Sequence, residues 1–244
     1  MKITVIGAGA IGGNLARRLS AAGHDVQVAD ARGPEAVPAE VLESGARAEA
    51  VDDAVQGRDV IILSIPFGRA GELAGLFATV PDETVVIDTS NYYPQLGGNI
   101  EAVDAGQVES VWNVEQLRRP VVKAWNAALA GTQQTQGRVA GTPGRIAIPV
   151  AADSDHARRV AMRLVDDTGF DPFDAGVLAD SWRQQPGTPA YCTELDLKEL
   201  QAALAAADRD KAPGTRDQLM ARFAAFTSAP ALEEIVEMNR SAHH

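Results

Sequence analysis

The stretch that most constrains this chain lies at its start. Ile3-Thr4-Val5-Ile6 reads as a buried strand, Gly7-Ala8-Gly9-Ala10-Ile11-Gly12-Gly13 as a glycine turn, and Asn14 to Ala22 as a helical pattern closed by Gly23. Gly7, Gly9 and Gly12 have the spacing G-x-G-x-x-G, and each has its own physical duty. Gly7 permits the tight turn, Gly9 lets backbone N–H groups approach a pyrophosphate, and Gly12 lets the helix sit close to the strand. An anion then lies at the helix start, beside the N–H groups of Ala10, Ile11 and Gly12, where the helix dipole favours negative charge.

With 22 glycines among 244 residues, short glycine clusters arise by chance, so context decides. Here a second strand, His24 to Ala29, follows the helix and ends in Asp30, about twenty positions after the turn, as the dinucleotide fingerprint requires. A carboxylate at that point accepts hydrogen bonds from ribose hydroxyls and favours NAD, whereas a neighbouring arginine accommodates a 2′-phosphate and favours NADP. In Asp30-Ala31-Arg32 the two residue types pull in opposite directions, with a slight edge to NAD from the more direct approach of Asp30.

The strands that follow place further residues at the ligand edge, because ligands of open α/β sheets sit outside the carboxyl ends of the strands. Arg58 to Phe67 is a near-continuous apolar strand stopped by Pro66, which puts Ser64, Ile65, Pro66 and Phe67 beside the dinucleotide. Thr84 to Thr89 is another, followed by Ser90-Asn91-Tyr92-Tyr93-Pro94, where Asp88, Ser90, Asn91 and two tyrosines offer polar groups and flat rings. Residues 95 to 109 and 131 to 144 read as loops near the pocket. Val121 to Trp125 is a strand ending in Asn126, and its Lys123 either polarises a carbonyl or is structural, the structural role being favoured because a proton-donating lysine needs a lowered pKa. Further strands are expected at 145–151 and 170–176, a helix capped by Ser154 at 154–168, a pocket wall or interface at 178–191, and two tail helices at 195–207 and 216–226.

Composition sets the outer limits. Lys and Arg number 22 against 33 Asp and Glu, a net charge of −11, which argues against a nucleic-acid partner. No apolar run of roughly 18 residues occurs and Met1-Lys2 leads straight into the first strand, so no membrane partner is expected and the cytoplasm is the expected address. The single cysteine, Cys192, reads as a small, partly buried apolar residue, and no metal site is expected. His243-His244 read as the remnant of a purification tag. The fold class that emerges is α/β, a Rossmann-type doubly wound, mostly parallel sheet with a small C-terminal helical appendage. Residues 1–152 form the dinucleotide-binding domain, and residues 153–244 a smaller region that completes the pocket and supplies the interface of a homodimer.

Taken together, Gly7 to Gly12, Ser64-Ile65-Pro66, Asp88 to Pro94, Val121 to Asn126, Phe170-Asp171-Pro172 with Asp174-Ala175-Gly176, and Ser181 to Pro189 resemble the coenzyme F420-dependent NADP oxidoreductase family over residues 1 to about 191. The resemblance implies reversible hydride transfer between NAD or NADP and a deazaflavin such as F420, or a flavin-like acceptor, with the nicotinamide near Ile65-Pro66. Such a transfer needs near-attack geometry and no obligatory acid or base, so no catalytic residue is assigned. Two other readings stay open: a small-molecule dehydrogenase of the hydroxyacid type using Lys123 and Asn126, and a dinucleotide-binding sensor without turnover.

Overall fold

Five short parallel pairings build the main sheet, and each brings an apolar run into register with the next. The computed structural model describes residues 1–243; His244 lies outside them. Strands β1 (Lys2–Ile6), β2 (Asp25–Ala29), β3 (Arg47–Ala48), β4 (Val60–Leu63), β5 (Val85–Asp88) and β6 (Val122–Lys123) lie in the order β3-β2-β1-β4-β5-β6. Every neighbouring pair is parallel, with Ile3 opposite Val26 on one side and Val60 on the other. That order, reversing direction between β1 and β4, is the Rossmann arrangement, and it leaves a crevice outside their carboxyl ends. No described helix is long and apolar enough to cross a membrane.

β4 explains why its sequence shows no alternation. Val60 and Ile62 enter the core shared with helices α1 (Ala10–Ala21) and α9 (Asp155–Asp167), while Ile61 and Leu63 enter the opposite core with Phe77 and Leu117. A strand covered on both faces has no polar side to show. Strands β7 (Ala147–Val150) and β8 (Asp171–Asp174) pair with each other in a separate parallel sheet, joined to β6 by one antiparallel bridge between Lys123 and Ala151. In α9 the Ser154 hydroxyl accepts the Ala157 N–H, as the sequence predicts.

Several segments differ from expectation. The stretch expected to be loop at 95–109 carries two single-turn helices, α5 (Pro94–Gly97) and α6 (Glu101–Asp104), before α7 (Glu109–Leu117). The polar segment after Gly131 begins in a helix, α8 (Ala130–Thr135), after the short helices α2 (Ala39–Leu42), α3 (Val51–Ala54) and α4 (Ala74–Phe77). In α8, Gln133 is fully buried and donates to the Trp125 and Ala128 carbonyls at 3.2 and 3.4 Å, so a polar residue fills a core position. Residues Leu178–Gln184 wind into a 3₁₀ helix, and the tail holds three helices instead of two: α10 (Leu197–Ala206), α11 (Ala212–Ala224) and α12 (Leu232–Ser241). α12 rests on Gly131 through Leu232, and Arg240 ties it to the Thr193 and Glu194 carbonyls at 2.7 and 3.0 Å.

Candidate dinucleotide and hydride-transfer site

The glycine turn is tighter than spacing alone reveals. Gly7 has φ +106°, and a Cβ there would stand 2.1 Å from the Ser64 carbonyl oxygen. A Cβ at Gly12 would stand 1.9 Å from the Gly7 oxygen and 3.0 Å from Ser64 Cβ, whereas one at Gly9 would meet nothing within 4 Å. Gly7 and Gly12 therefore hold β1, β4 and α1 together, and Gly9 faces open space. Gly13, absent from the spacing argument, lets α2 approach: its Cβ would be 2.9 Å from Val41. α1 starts at Ala10 without a side-chain cap, so its leading N–H groups are left for another acceptor. Asn14 fixes the helix from behind by donating to the Ala130 carbonyl at 2.8 Å.

At the end of β2, Asp30 and Arg32 meet each other. Arg32 donates from Nε and Nη2 to the two Asp30 carboxylate oxygens at 2.8 and 3.1 Å, and its backbone N–H adds a third bond at 3.0 Å. This guanidinium holds the Asp30 carboxyl below the usual carboxylate range, assisted by the Ala8 N–H. Arg32 is three-quarters exposed and Asp30 only 13%, so the arginine is the partner free to swing away.

Beyond β4, Ile65 and Phe67 are half-buried and Pro66 is exposed. The Phe67 ring stacks on Trp112 at 5.1 Å and tilts against Tyr92 at 5.4 Å. A cavity of about 140 Å³ opens here, lined by Pro66, Phe67, Asn91, Tyr92, Tyr93 and Ile100 among others. Asn91 reaches it already engaged. Its Oδ1 accepts from Asn126 Nδ2 at 3.0 Å, and its Nδ2 donates to the Asn126 carbonyl at 2.9 Å and the Tyr191 hydroxyl at 3.3 Å. Gln184 Nε2 donates to Asn126 Oδ1 at 2.8 Å, and Tyr93 donates to the Tyr191 hydroxyl at 2.9 Å. Both amide hydrogens of Asn91 are thus spent on orienting the segment, and Asn126 is buried in the same network. The neighbouring Cys192 is buried, which pushes its thiol up to about 12 and leaves it inert, as expected of a packing residue.

The polar residues after β5 behave differently from the sequence expectation. Asp88 and Ser90 turn into the protein instead of facing the ligand edge. Lys123 Nζ lies 2.8 Å from Asp88 Oδ2 and also donates to the Ser90 carbonyl. Asn113 Nδ2 donates to Asp88 Oδ2 at 2.9 Å, and the Ser90 hydroxyl to Asp88 Oδ1 at 2.7 Å. Glu109, which the sequence places in a loop, is buried at the edge of this cluster and accepts the Tyr92 N–H at 3.0 Å. Burial pushes its carboxyl up to about 7, against the pull of Lys123. Nothing in its local sequence marks it, because its environment is assembled from β5, β6 and α11.

Comparison with known proteins adds identity to this geometry. Residues 2–92 match the family model described as "NADP oxidoreductase coenzyme F420-dependent". The Escherichia coli (strain K12) protein YjhV is 41% identical over 101 residues, 41% of this chain and 74% of that protein. The chain belongs to this family of NAD(P)-dependent oxidoreductases. In fold the chain is similar to protein SMa0349 of Sinorhizobium meliloti, with a TM-score of 0.67 and 28% identity over 80% of this chain and 95% of that one. A structure described as a candidate F420-dependent NADP reductase from Arthrobacter sp. FB24 has a TM-score of 0.55 and 20% identity over 74% of this chain and 87% of its own. The Mycobacterium tuberculosis 3-hydroxyisobutyrate dehydrogenase shares the fold at a TM-score of 0.54 and 17% identity, over 72% of this chain and 55% of its own.

Proposed function

We propose that the chain binds NAD(P)H along the Gly7–Gly12 turn and transfers hydride to a deazaflavin or flavin-like acceptor received at the Pro66–Asn91 edge. The observation that carries the reading is the contrast within the turn: Gly7 and Gly12 admit no Cβ, while Gly9 and the uncapped start of α1 are open. That contrast supports reading the turn as a pyrophosphate cradle. Gly9, Ala10, Ile11 and Gly12 would hold the phosphates, Asp30, Ala31 and Arg32 the adenosine ribose, and Ser64, Ile65, Pro66 and Phe67 the nicotinamide end. When bound, the nicotinamide dinucleotide supplies the hydride. The chain's part is to orient: Asn126, Gln184 and Tyr191 fix Asn91, and Phe67, backed by the stacked Trp112 ring, meets the tilted Tyr92 ring to give the acceptor cavity aromatic walls.

The family description supports F420 as the acceptor class, and the cavity's aromatic lining suits a planar ring. The hydroxyacid-type alternative loses its main residue, since Lys123 is fully buried and committed to Asp88 and Ser90. The residues of 153–243 contribute Gln184 and Tyr191 to the network, in keeping with a C-terminal region that completes the pocket, and a homodimer is the proposed assembly. The test follows NADH and NADPH oxidation with F420, FMN, FAD and simple keto acids as acceptors. Oxidation dependent on F420 or a flavin is expected. Turnover with keto acids alone overturns the acceptor, and cofactor binding without any turnover leaves a dinucleotide sensor.

A further inference from the structure

A second cavity, of about 60 Å³, lies away from the glycine turn, between the start of α7, the end of the 3₁₀ segment and the start of α11. Its walls include Glu109, Trp182, Gln185, Arg209, Pro213 and Arg216. The set is rich in donors. Arg216 has a side chain only 10% exposed, lies over the Tyr92 ring at 5.3 Å, and donates from Nε to Asp217 at 2.9 Å. Among the described residues no other hydrogen bond engages its guanidinium. Arg209 packs over the Trp182 ring at 5.8 Å and donates to the Gly106 carbonyl at 2.7 Å. Among the described residues, Gln185 Nε2 is buried and has no partner.

A buried amide hydrogen without an acceptor is costly, and such a group calls for an unseen partner. Two guanidinium groups beside it call for an acceptor that carries negative charge. Among the described residues the one carboxyl in the wall, Glu109, does not supply it, because its Oε2 is taken by the Tyr92 N–H and burial favours its neutral form. The helix α11, of 13 residues, begins at the cavity without a side-chain cap and adds its dipole. A single water needs roughly 10–15 Å³ by the same measure, so the space admits one small polyatomic anion in place of several waters.

We infer that this cavity binds one small oxyanion, a carboxylate or a tetrahedral sulfate- or phosphate-like group, held by Arg216, Arg209 and the Gln185 amide. The site stands apart from the hydride-transfer reading, though the two meet at Tyr92: Glu109 accepts the Tyr92 N–H, Arg216 lies over the Tyr92 ring, and Tyr92 also lines the acceptor cavity. Glu109 faces Lys123, Asp88 and Arg216 as well as the anion, and its ionisation sets a carboxylate against the ligand. Binding therefore weakens as pH rises through about 7.

The test uses the full chain and the intrinsic fluorescence of Trp182, titrated separately with sulfate and with acetate at constant ionic strength against chloride. Sulfate reports a tetrahedral site and acetate a planar one. Saturable change with either probe is expected below roughly 50 mM, weakened about tenfold or more in Arg216→Gln or Arg209→Gln. Arg209 is exposed, so its variant stays informative if the Arg216 variant fails to fold. Trp182→Phe is expected to remove the optical signal while the thermal shift produced by the same anion persists. Absence of saturable binding by both probes, or affinity undiminished in both arginine variants, overturns the inference and leaves the cavity to water.

Discussion

Lys123 Nζ sits 2.8 Å from Asp88 Oδ2 with the lysine side chain wholly buried and the aspartate 3% exposed. The pair joins β6 to β5 at the point where the sheet meets the ligand edge, and the Ser90 carbonyl and Asn113 amide complete its hydrogen bonding. Removing one member of a buried ion pair leaves the other charge uncompensated, at a cost of about 3–5 kcal/mol. Lys123→Met is expected to lower stability by that order in urea unfolding, while the fraction that remains folded keeps its kcat. A folded Lys123→Met protein of unchanged stability and abolished turnover would return the lysine to a chemical role.

The glycines of the turn separate folding from binding. Gly12→Ala drives a methyl into the Gly7 carbonyl and against Ser64, so it is expected to destabilise the chain by about 3 kcal/mol or more. At Gly9→Ala the added methyl meets no atom of the described residues within 4 Å and the backbone already has φ −70°, so its unfolding free energy stays within about 0.5 kcal/mol of the parent. Its dinucleotide affinity, measured by calorimetry or fluorescence, nevertheless falls. Equal affinity in the Gly9→Ala protein would move the pyrophosphate away from the turn.

What the sequence made legible was local. The β1 turn and α1, the two-sided burial of β4 and the Ser154 cap each follow from a short contiguous pattern whose physical reason is complete within a few residues. The polar site residues were harder because their partners are remote. Lys123 reads equally as acid catalyst or structural ion until Asp88, far away in sequence, is found against it. Asn91 reads as a ligand donor until Asn126 and Tyr191 are seen to occupy both amide hydrogens. The single-turn helices α5 and α6 are shorter than any period that could announce them, and α12 is preceded by an exposed stretch that hides its start.

Cofactor preference turns on Asp30 and Arg32 acting together. In the free protein Arg32 neutralises Asp30, and the exposed arginine can leave to meet a 2′-phosphate while the carboxylate stays to accept ribose hydroxyls. Asp30→Ser is expected to raise NADPH affinity and lower NADH affinity. Arg32→Ala is expected to do the reverse, with shifts of about tenfold, near 1.4 kcal/mol. Dissociation constants of both cofactors for both variants check this, and unchanged ratios would refute a selector role for the pair.

Glu109 gives the fold a pH signature of opposite sign to that of its paired carboxylates. Its carboxyl titrates near 4.5 when unfolded and at about 7 when folded, because burial disfavours the charge. Between these values the native state holds the proton that the unfolded chain has lost, so stability falls as pH rises through the window. The penalty is absent below about pH 4.5 and complete above about pH 7, where it amounts to about 3 kcal/mol. Asp25 and Asp30, held low by arginines, lose their contribution only as pH falls through the acid range, so they do not mask this window. Glu109→Gln keeps an oxygen for the Tyr92 N–H and cannot ionise. Its stability relative to the parent, from urea unfolding at about pH 5 and about pH 8, is expected to improve toward the alkaline side by most of that amount, about 2.5 kcal/mol. A constant difference between the two proteins across the window would place the buried proton elsewhere.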